Sequence, residues 1–196
     1  MIKSTNKKPI IIFAGPSGVG KGTIEKYLFE DKELRLHLAC SATTRSPRAG
    51  EIDGIHYFFI TKNDFENKIA ENAFLGNIVI TSKTIMAPCM LKLIEFIELN
   101  KVPFLEIETN GAKQILSKKD VNDRYKVITF FILPPSVEEL KNRILNRNTE
   151  NNDAINIRMQ KAIDEINDQH LFKHKIVNDD AELGAKKVTQ IIKEEI

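Results

Sequence analysis

A nine-residue segment near the start of the chain has the composition and spacing of a phosphate-binding loop. Glycines let a backbone curl so that successive N–H groups point at phosphate oxygens, and a lysine adds charge for the β- and γ-phosphates of a nucleoside triphosphate. The strict pattern, G-x-x-x-x-G-K-[ST], places a hydroxyl directly after the lysine, whereas here it comes one residue later. The segment predicts a nucleoside triphosphate site, with a glycine-rich turn that binds nothing as the alternative. Its residues are Gly15, Pro16, Ser17, Gly18, Val19, Gly20, Lys21, Gly22 and Thr23.

Two arginines further along the chain are spaced to grip a second phosphate. Arg45 and Arg48 flank Pro47, whose ring stiffens the backbone between them. Two guanidinium forks held in this way can bind one dianionic phosphate through several charge-assisted hydrogen bonds. Solvated surface arginines are the plain alternative.

The segments around these residues alternate between strand and helix. Ile10 to Ala14 is apolar without alternation, as in a strand buried on both faces of a parallel sheet, and Ile24, Tyr27 and Leu28 then recur at helical spacing. A strand, a glycine-rich loop and a helix are the context in which the phosphate motif is specific. Further strands are predicted at Val102 to Ile107 and Val127 to Leu133, and further helices at Ala87 to Asn100, Val137 to Asn146 and Asp153 to His170.

Residues 43 to 84 break this alternation. Short β-like pieces at Tyr57 to Ile60 and Leu75 to Ile80 surround one helix from about Asn63 to Asn72, which predicts an inserted lobe. Ser136, followed three residues later by Glu139, has the pattern of a capping box at a helix start.

Composition argues against nucleic-acid and membrane partners. Lysine and arginine number 29 against 27 aspartates and glutamates, and the net charge of +2 gives no electrostatic case for wrapping a nucleic acid. Cys40 and Cys89 lack the C-x-x-C spacing of a metal or redox pair, so we expect both in the core. No stretch approaches the roughly 18 apolar residues of a membrane span. We expect a cytoplasmic protein, as a monomer or homodimer.

Taken together, these segments and several others resemble the guanylate kinases along nearly the whole chain. The resemblance implies a three-part kinase, with a core that holds ATP, a small lobe that holds GMP and a lid that closes over the phosphates. The matching stretches are Gly15 to Thr23, Ser41 to Glu51, Gly54, Tyr57-Phe58-Phe59, Phe74-Leu75, Pro134-Pro135-Ser136, Arg143, Arg147 with Thr149-Glu150, Arg158 and Asn178-Asp179-Asp180.

The resemblance also implies roles for individual residues. Arg45 and Arg48 would clamp the GMP phosphate together with the Tyr57 hydroxyl, while Ser41 and Glu108 would contact the guanine base. Three lid and hinge arginines would neutralise the transferring phosphoryl group, namely Arg143, Arg147 and Arg158. For Mg²⁺ the candidates are Thr23 and Glu106, which ends a buried strand on the expected ligand side.

The acceptor lobe departs from the family pattern. Gly76 stands where relatives carry a glutamate for the guanine edge, Ile85 and Ala87 replace a tyrosine and a hydroxyl residue, and Glu108 replaces an aspartate. Three readings stay open: a GMP or dGMP kinase with a re-made pocket, a kinase for another monophosphate, and an inactive nucleotide- or protein-binding module. The intact phosphate loop and the retained arginines favour the first.

The sequence therefore predicts an α/β fold, with a P-loop NTPase-type parallel sheet flanked by helices, an inserted β-rich NMP-binding lobe and a helical lid. The expected bounds are 43–84 for the lobe, about 147–170 for the lid, and 1–42, 85–146 and 171–196 for the core.

Overall fold

A parallel β-sheet and a smaller mixed sheet form the framework of the chain. The computed structural model describes residues 7–47, 50–54, 57–71, 73–74, 79–80, 85–88, 90–145 and 152–196. The strands within these ranges are β1 (Lys8–Ala14), β2 (Leu36–Leu38), β3 (Ser41–Thr43), β4 (Phe58–Phe59), β5 (Val79–Ile80), β6 (Ile85–Pro88), β7 (Val102–Glu106), β8 (Tyr125–Leu133) and β9 (His174–Val177).

The larger sheet has five parallel strands in the order β2-β7-β1-β8-β9. Ile12 in the central strand pairs with Leu105 on one side and Thr129 on the other. Residues 10 to 14 are fully buried, because helices cover both faces of the sheet. The parallel α/β fold and the predicted positions of β1, β7 and β8 are confirmed. The loop after β1 consequently leaves the middle of the carboxyl edge, where such sheets bind ligands.

Helices connect the strands. Within the described residues they are α1 (Lys21–Glu30), α2 (Lys62–Ala70), α3 (Met90–Glu98), α4 (Thr109–Ser117), α5 (Lys119–Arg124), α6 (Val137–Leu145), α7 (Asn152–Asn167) and α8 (Ala181–Glu195), with short 3₁₀ turns at Lys32–Leu34 and Asp168–Leu171. On α1, Ile24 and Leu28 are buried, whereas Tyr27 is 38% exposed.

Ser136 caps α6 as predicted, because its Oγ accepts the Glu139 N–H at 3.0 Å. The Glu139 carboxylate accepts a hydrogen bond from Arg143 Nε.

One predicted helix was wrong at its start. Ala87 and Pro88 belong to strand β6, and α3 begins only at Met90. The cause is long-range pairing, since Ala87 lies opposite Ala42 of β3 in an antiparallel ladder that local periodicity does not reveal.

The small sheet has the order β4-β3-β6-β5. It extends to Ser41 and Pro88, past the 43–84 bounds expected for the lobe. Its own core is small: Ala42, Phe65 and Phe74 are buried, and the two phenylalanine rings stack at 4.6 Å.

Elsewhere Cys40 is buried as predicted, while Cys89 lies outside the described residues. Within the described ranges, every helix is too short or too polar to span a bilayer.

Candidate active site

The glycine-rich segment forms a tight turn between β1 and α1. Gly15 and Gly20 adopt φ values of 153° and 95°, which side chains disfavour. A Cβ on Gly15 would lie 2.6 Å from the Ile132 carbonyl oxygen, and one on Gly20 would lie 2.5 Å from Asn178 Nδ2. Both glycines are therefore required by conformation and by space. The turn ends at the N-terminus of α1, whose free N–H groups favour an anion.

Lys21 lies folded over this turn. Its Nζ donates to the carbonyl oxygens of Gly15 at 2.8 Å and Pro16 at 3.4 Å, and it lies 3.8 Å from Glu106 Oε1. The side chain is 16% exposed. The ammonium is thus held at the mouth of the loop, within reach of an incoming phosphate.

Asn178 and Arg143 support the loop from the other side. The buried Asn178 donates from Nδ2 to the Val19 carbonyl at 2.7 Å. Arg143 donates from one terminal nitrogen to the carbonyl oxygens of Val19 at 3.4 Å and Asn178 at 3.1 Å. Arg143 therefore contacts the loop backbone. A depression of about 380 Å³ opens here, lined by Gly18, Gly20, Thr23, Arg143, Asn178, Asp179 and Ala181.

Arg45, the first clamp arginine, is held by a carboxylate in this structure. Its two terminal nitrogens each lie 2.6 Å from an oxygen of Glu51. Its guanidinium carbon lies 5.0 Å from the ring centre of Tyr57 and 5.4 Å from that of Phe59. A fork that binds one carboxylate through two parallel bonds offers the geometry that phosphate also requires.

The charge of Glu106 acts on groups from both proposed halves of the site. Burial raises the pKa of the Tyr57 hydroxyl, the Glu106 charge acts in the same direction, and Arg45 opposes both. Glu106 also lies beside Lys21. The Glu106 charge therefore acts both on the ammonium of the loop and on the Tyr57 hydroxyl beside Arg45.

Glu25 is a half-buried acid on α1, four residues after Lys21, that sequence reasoning missed. Burial, reinforced by the charge of Glu106, raises the pKa of Glu25 to about 8, although Lys21 opposes the shift. Its Oε1 is enclosed without a hydrogen-bond partner among the described residues. The spacing of four residues from Lys21 on α1 was the available signal, because it places both side chains on one helix face.

Glu108, expected to read the acceptor base, lies at the N-terminus of α4. Its Oε1 accepts a hydrogen bond from Lys161 Nζ of α7 at 2.9 Å, and both side chains are more than half exposed. The carboxylate is thus engaged with a lysine that the sequence patterns did not indicate.

The other predicted site residues that the structure describes lie on different elements. Ser41 begins β3 and is half-buried, and Arg158 lies exposed on α7. Ile85 and Ala87 lie in β6, where the structure describes their backbone alone. Arg48, Gly76 and Arg147 lie outside the described residues.

The protein supplies only some of the oxygen ligands that a divalent cation would need. Among the described residues, no group of three or more His, Cys, Asp and Glu could hold a metal ion. Mg²⁺ at nucleotide sites needs only one or two protein oxygens, because phosphates and water complete its shell. The 41% exposed carboxylate of Glu106 beside Lys21 fits that donor set. Thr23, the other candidate, lines the depression next to Arg143.

Comparison with known proteins identifies the family of the chain. A sequence model of the family described as guanylate kinase matches residues 6–195. The chain is 46% identical to a guanylate kinase of Mycoplasmopsis synoviae, covering 97% of this chain and 96% of that one. It is 47% identical to a guanylate kinase of Mycoplasmopsis pulmonis, covering 95% of each.

A solved structure supports the fold. The guanylate kinase of Anaplasma phagocytophilum superimposes with a TM-score of 0.71, covering 97% of this chain and 87% of that one at 22% identity. The sequence matches span nearly the whole length of both this chain and its relatives. This chain therefore belongs to the guanylate kinase family.

Proposed function

We propose that this chain transfers the γ-phosphoryl group of ATP to GMP, giving ADP and GDP. The observation that carries the proposal is the phosphate loop, where Lys21 Nζ is held 2.8 Å from the Gly15 carbonyl oxygen, in a chain that the guanylate kinase family model matches over residues 6–195. Arg45, which binds Glu51 through two parallel bonds of 2.6 Å, supplies a second group with the geometry to bind a phosphate. The relatives that share 46% and 47% of their residues with this chain are guanylate kinases, which supports GMP as acceptor.

Each half of the site has a defined task in this proposal. The loop N–H groups and Lys21 hold the β- and γ-phosphates of ATP, while Arg45 and Tyr57 hold the acceptor phosphate. The acceptor oxygen attacks the γ-phosphorus, the bond from that phosphorus to the bridging oxygen breaks, and ADP leaves. No general base is required, because the acceptor phosphate is already an anion. Positioned cations and exclusion of water supply most of the rate in such reactions.

Further cations and a metal complete the proposed site. Glu106, with Thr23 as a further candidate, would hold Mg²⁺ together with the phosphates, and the ion would supply positive charge to offset the charge that develops on the transferring group. Arg48, Arg147 and Arg158 would add positive charge, as the family resemblance implies. Arg143 would act by holding the loop, since it contacts Val19 and Asn178.

The residues that would contact the acceptor base differ from the family pattern. Gly76, Ile85 and Ala87 remove three groups that relatives present to GMP, and Glu108 is paired with Lys161. A hydrogen bond to a charged group contributes about 1.5–3 kcal/mol, so losing one weakens acceptor binding roughly ten- to a hundredfold. The loss of contacts to guanine favours a second candidate function, that of a kinase that accepts several nucleoside monophosphates.

A coupled ADP-release assay tests the proposal. ATP and Mg²⁺ are supplied with GMP, dGMP, AMP, UMP or CMP in turn, and kcat/KM is measured for each. The proposal expects GMP to give the highest value. A higher value for another monophosphate would assign the chain to a different acceptor, and no turnover with any of them, despite ATP binding, would indicate a binding module.

A further inference from the structure

The guanidinium of Arg45 is held by several groups at once. Its Nη1 and Nη2 each donate to one carboxylate oxygen of Glu51 at 2.6 Å, and Nη1 also donates to the Ser46 carbonyl oxygen at 2.9 Å. The rings of Tyr57 and Phe59, whose centres are 5.9 Å apart, lie 5.0 Å and 5.4 Å from the guanidinium carbon. A long side chain with this many partners is fixed in one orientation, whereas an unrestrained arginine has many rotamers.

The hydrogen bonds use one edge of the guanidinium and spare another. The group has five N–H donors in a planar fork, one on Nε and two on each terminal nitrogen. Glu51 accepts from both terminal nitrogens, which is the end-on arrangement, and Ser46 accepts the second hydrogen of Nη1. The two donors that these bonds do not use are Nε–H and the second hydrogen of Nη2. They point in parallel from the side-on edge, which suits a second oxyanion.

The pair of Arg45 and Glu51 is also enclosed. The two side chains are 18% and 17% exposed, whereas those of the nearby pair of Lys62 and Glu66 are 74% and 56% exposed. Solvent and salt weaken exposed ion pairs far more than enclosed ones. Removing one partner of an enclosed pair leaves the other charge uncompensated. Glu51 therefore has a strong influence on where the guanidinium lies.

A carboxylate on a phosphate-binding arginine can have one of two roles. It can occupy the place of the phosphate and compete with it, or it can hold the arginine from the opposite edge. The end-on bonds favour the second role, because they leave the side-on edge of Arg45 for the phosphate. The Tyr57 hydroxyl, proposed above to bind the same phosphate, also interacts with this guanidinium.

We propose that Glu51 is a positioning residue of the acceptor site, which holds the end-on edge of Arg45 so that Nε and Nη2 present the side-on edge to the acceptor phosphate. Glu51 itself does not touch the acceptor. The inference rests on the proposed function, in which Arg45 binds the phosphate of the nucleoside monophosphate.

Glu51→Asp separates the two roles by the sign of its effect. The substitution keeps the charge but shortens the side chain by one methylene, so Arg45 loses its position without a change in net charge. We expect KM for GMP to rise about tenfold or more, the equivalent of one charge-assisted hydrogen bond. KM for ATP should stay at the parental value, since the phosphate loop is untouched. Steady-state kinetics with each substrate varied in turn measures both.

A double-mutant cycle tests whether Glu51 acts through Arg45. In an Arg45→Met background the carboxylate has no guanidinium to hold, so Glu51→Asp should change kcat/KM for GMP by less than about twofold. ADP affinity, measured by calorimetry, checks that each variant is folded. If Arg45→Met does not fold, Arg45→Lys replaces it, because lysine keeps the charge but lacks the fork. The matched control is Glu66→Asp, from the exposed pair with Lys62 on α2, and it should change neither KM.

Three outcomes would overturn the positioning role. A lower KM for GMP in Glu51→Asp would show that Glu51 competes with the phosphate, an unchanged KM would show that it has no role in the site, and a full loss in the Arg45→Met background would show that it acts independently of Arg45.

A parent that phosphorylates no monophosphate contradicts the proposed function instead. Calorimetric titration of GMP then tests the pair alone: Glu51→Asp should bind GMP about tenfold more weakly than the parent. An equal or tighter Kd overturns the positioning role, and a parent that binds no GMP overturns both proposals.

Discussion

Lys21 is the single side chain on which the proposed donor site depends most. Its ammonium is satisfied by two loop carbonyls at 2.8 and 3.4 Å, so it is already positioned before any phosphate arrives. Little side-chain entropy then remains to be lost on binding. Lys21 does not belong to either of the apolar clusters that cover the large sheet, so replacing it leaves their packing unchanged.

Replacing this lysine should abolish turnover and leave the fold intact. We expect Lys21→Ala to lower kcat by about 100-fold or more, the usual cost of removing one charge-stabilising donor from a reaction site. Steady-state kinetics measures the loss, and circular dichroism checks the fold. Lys186→Ala, at an exposed position on α8, is the control. Parental turnover in Lys21→Ala would show that the donor binds elsewhere.

A substitution at Gly76 tests the acceptor pocket at the scale of a single residue. This residue lies outside the described ranges, so the prediction rests on the family pattern, in which a glutamate accepts hydrogen bonds from guanine. Gly76→Glu should improve kcat/KM for GMP by about 1–2 kcal/mol and leave UMP and CMP nearly unchanged. Equal effects on every acceptor, or high GMP selectivity already in the parent, would indicate that other residues such as Asn77, Ser82 or Glu108 have rebuilt the pocket.

At the scale of elements, the two sheets differ in the size of their cores. The larger sheet is buried on both sides by extensive apolar clusters, whereas the small sheet encloses Ala42, Phe65 and Phe74. Local opening requires less free energy where less apolar surface is buried. The acceptor half of the site therefore rests on the less stable of the two frameworks.

Hydrogen exchange should detect this difference. We expect the amides of β3 and β6 to exchange faster than those of β1 and β8. A ligand present at about 100 times its Kd should slow opening of the sheet that binds it by roughly 100-fold. GMP should therefore protect the small sheet, and ADP should act mainly on the loop after β1. Equal protection of both sheets, with or without nucleotide, would contradict the prediction.

The elements also show which parts of the structure sequence patterns can predict. Strands β1, β7 and β8 were predictable because unbroken apolar runs indicate burial on both faces. Strand β6 was not, because its pairing with β3 joins Ala87 to Ala42 across a long stretch of chain. Glu25 and Lys161 resembled ordinary solvated helix residues. The spacing of Glu25 from Lys21 places both on one helix face, but the burial of Glu25 depends on how α1 packs. The surroundings of Lys161 likewise depend on how α7 packs, which local spacing does not reveal.

At the scale of the whole molecule, Glu195 ties the last helix to the large sheet. Its Oε1 accepts hydrogen bonds from Lys173 Nζ at 2.7 Å and from His174 Nε2 at 2.6 Å. Burial opposes ionisation of this carboxyl, but the bonds from Lys173 and His174 outweigh it and hold the pKa of Glu195 below its ordinary value. Ionisation of Glu195 is therefore more favourable in the folded chain than in the unfolded chain.

The stability from Glu195 should depend on pH. Because its folded pKa is lowered, the contribution is complete above the unfolded value of about 4.5 and disappears as the pH falls through the folded pKa. Glu195→Gln should lose about 0.5–2 kcal/mol of unfolding free energy at pH 7 and approach the parent in acid. Urea unfolding at several pH values measures this, with Glu194→Gln as the neighbouring control. A loss that is constant with pH would exclude a charge effect.

The hydrogen bond from Asn178 to Val19 also has a consequence for the order in which the donor site matures. The amide that donates to the Val19 carbonyl oxygen is synthesised 159 residues after the loop that it supports. The same late segment supplies β9, which completes the edge of the large sheet beside β8. A ribosome-bound chain that lacks these residues has the loop sequence without its support. We therefore expect competence to bind ATP to arise only after Asn178 has left the ribosome, so that the donor site depends on a segment synthesised long after the loop itself.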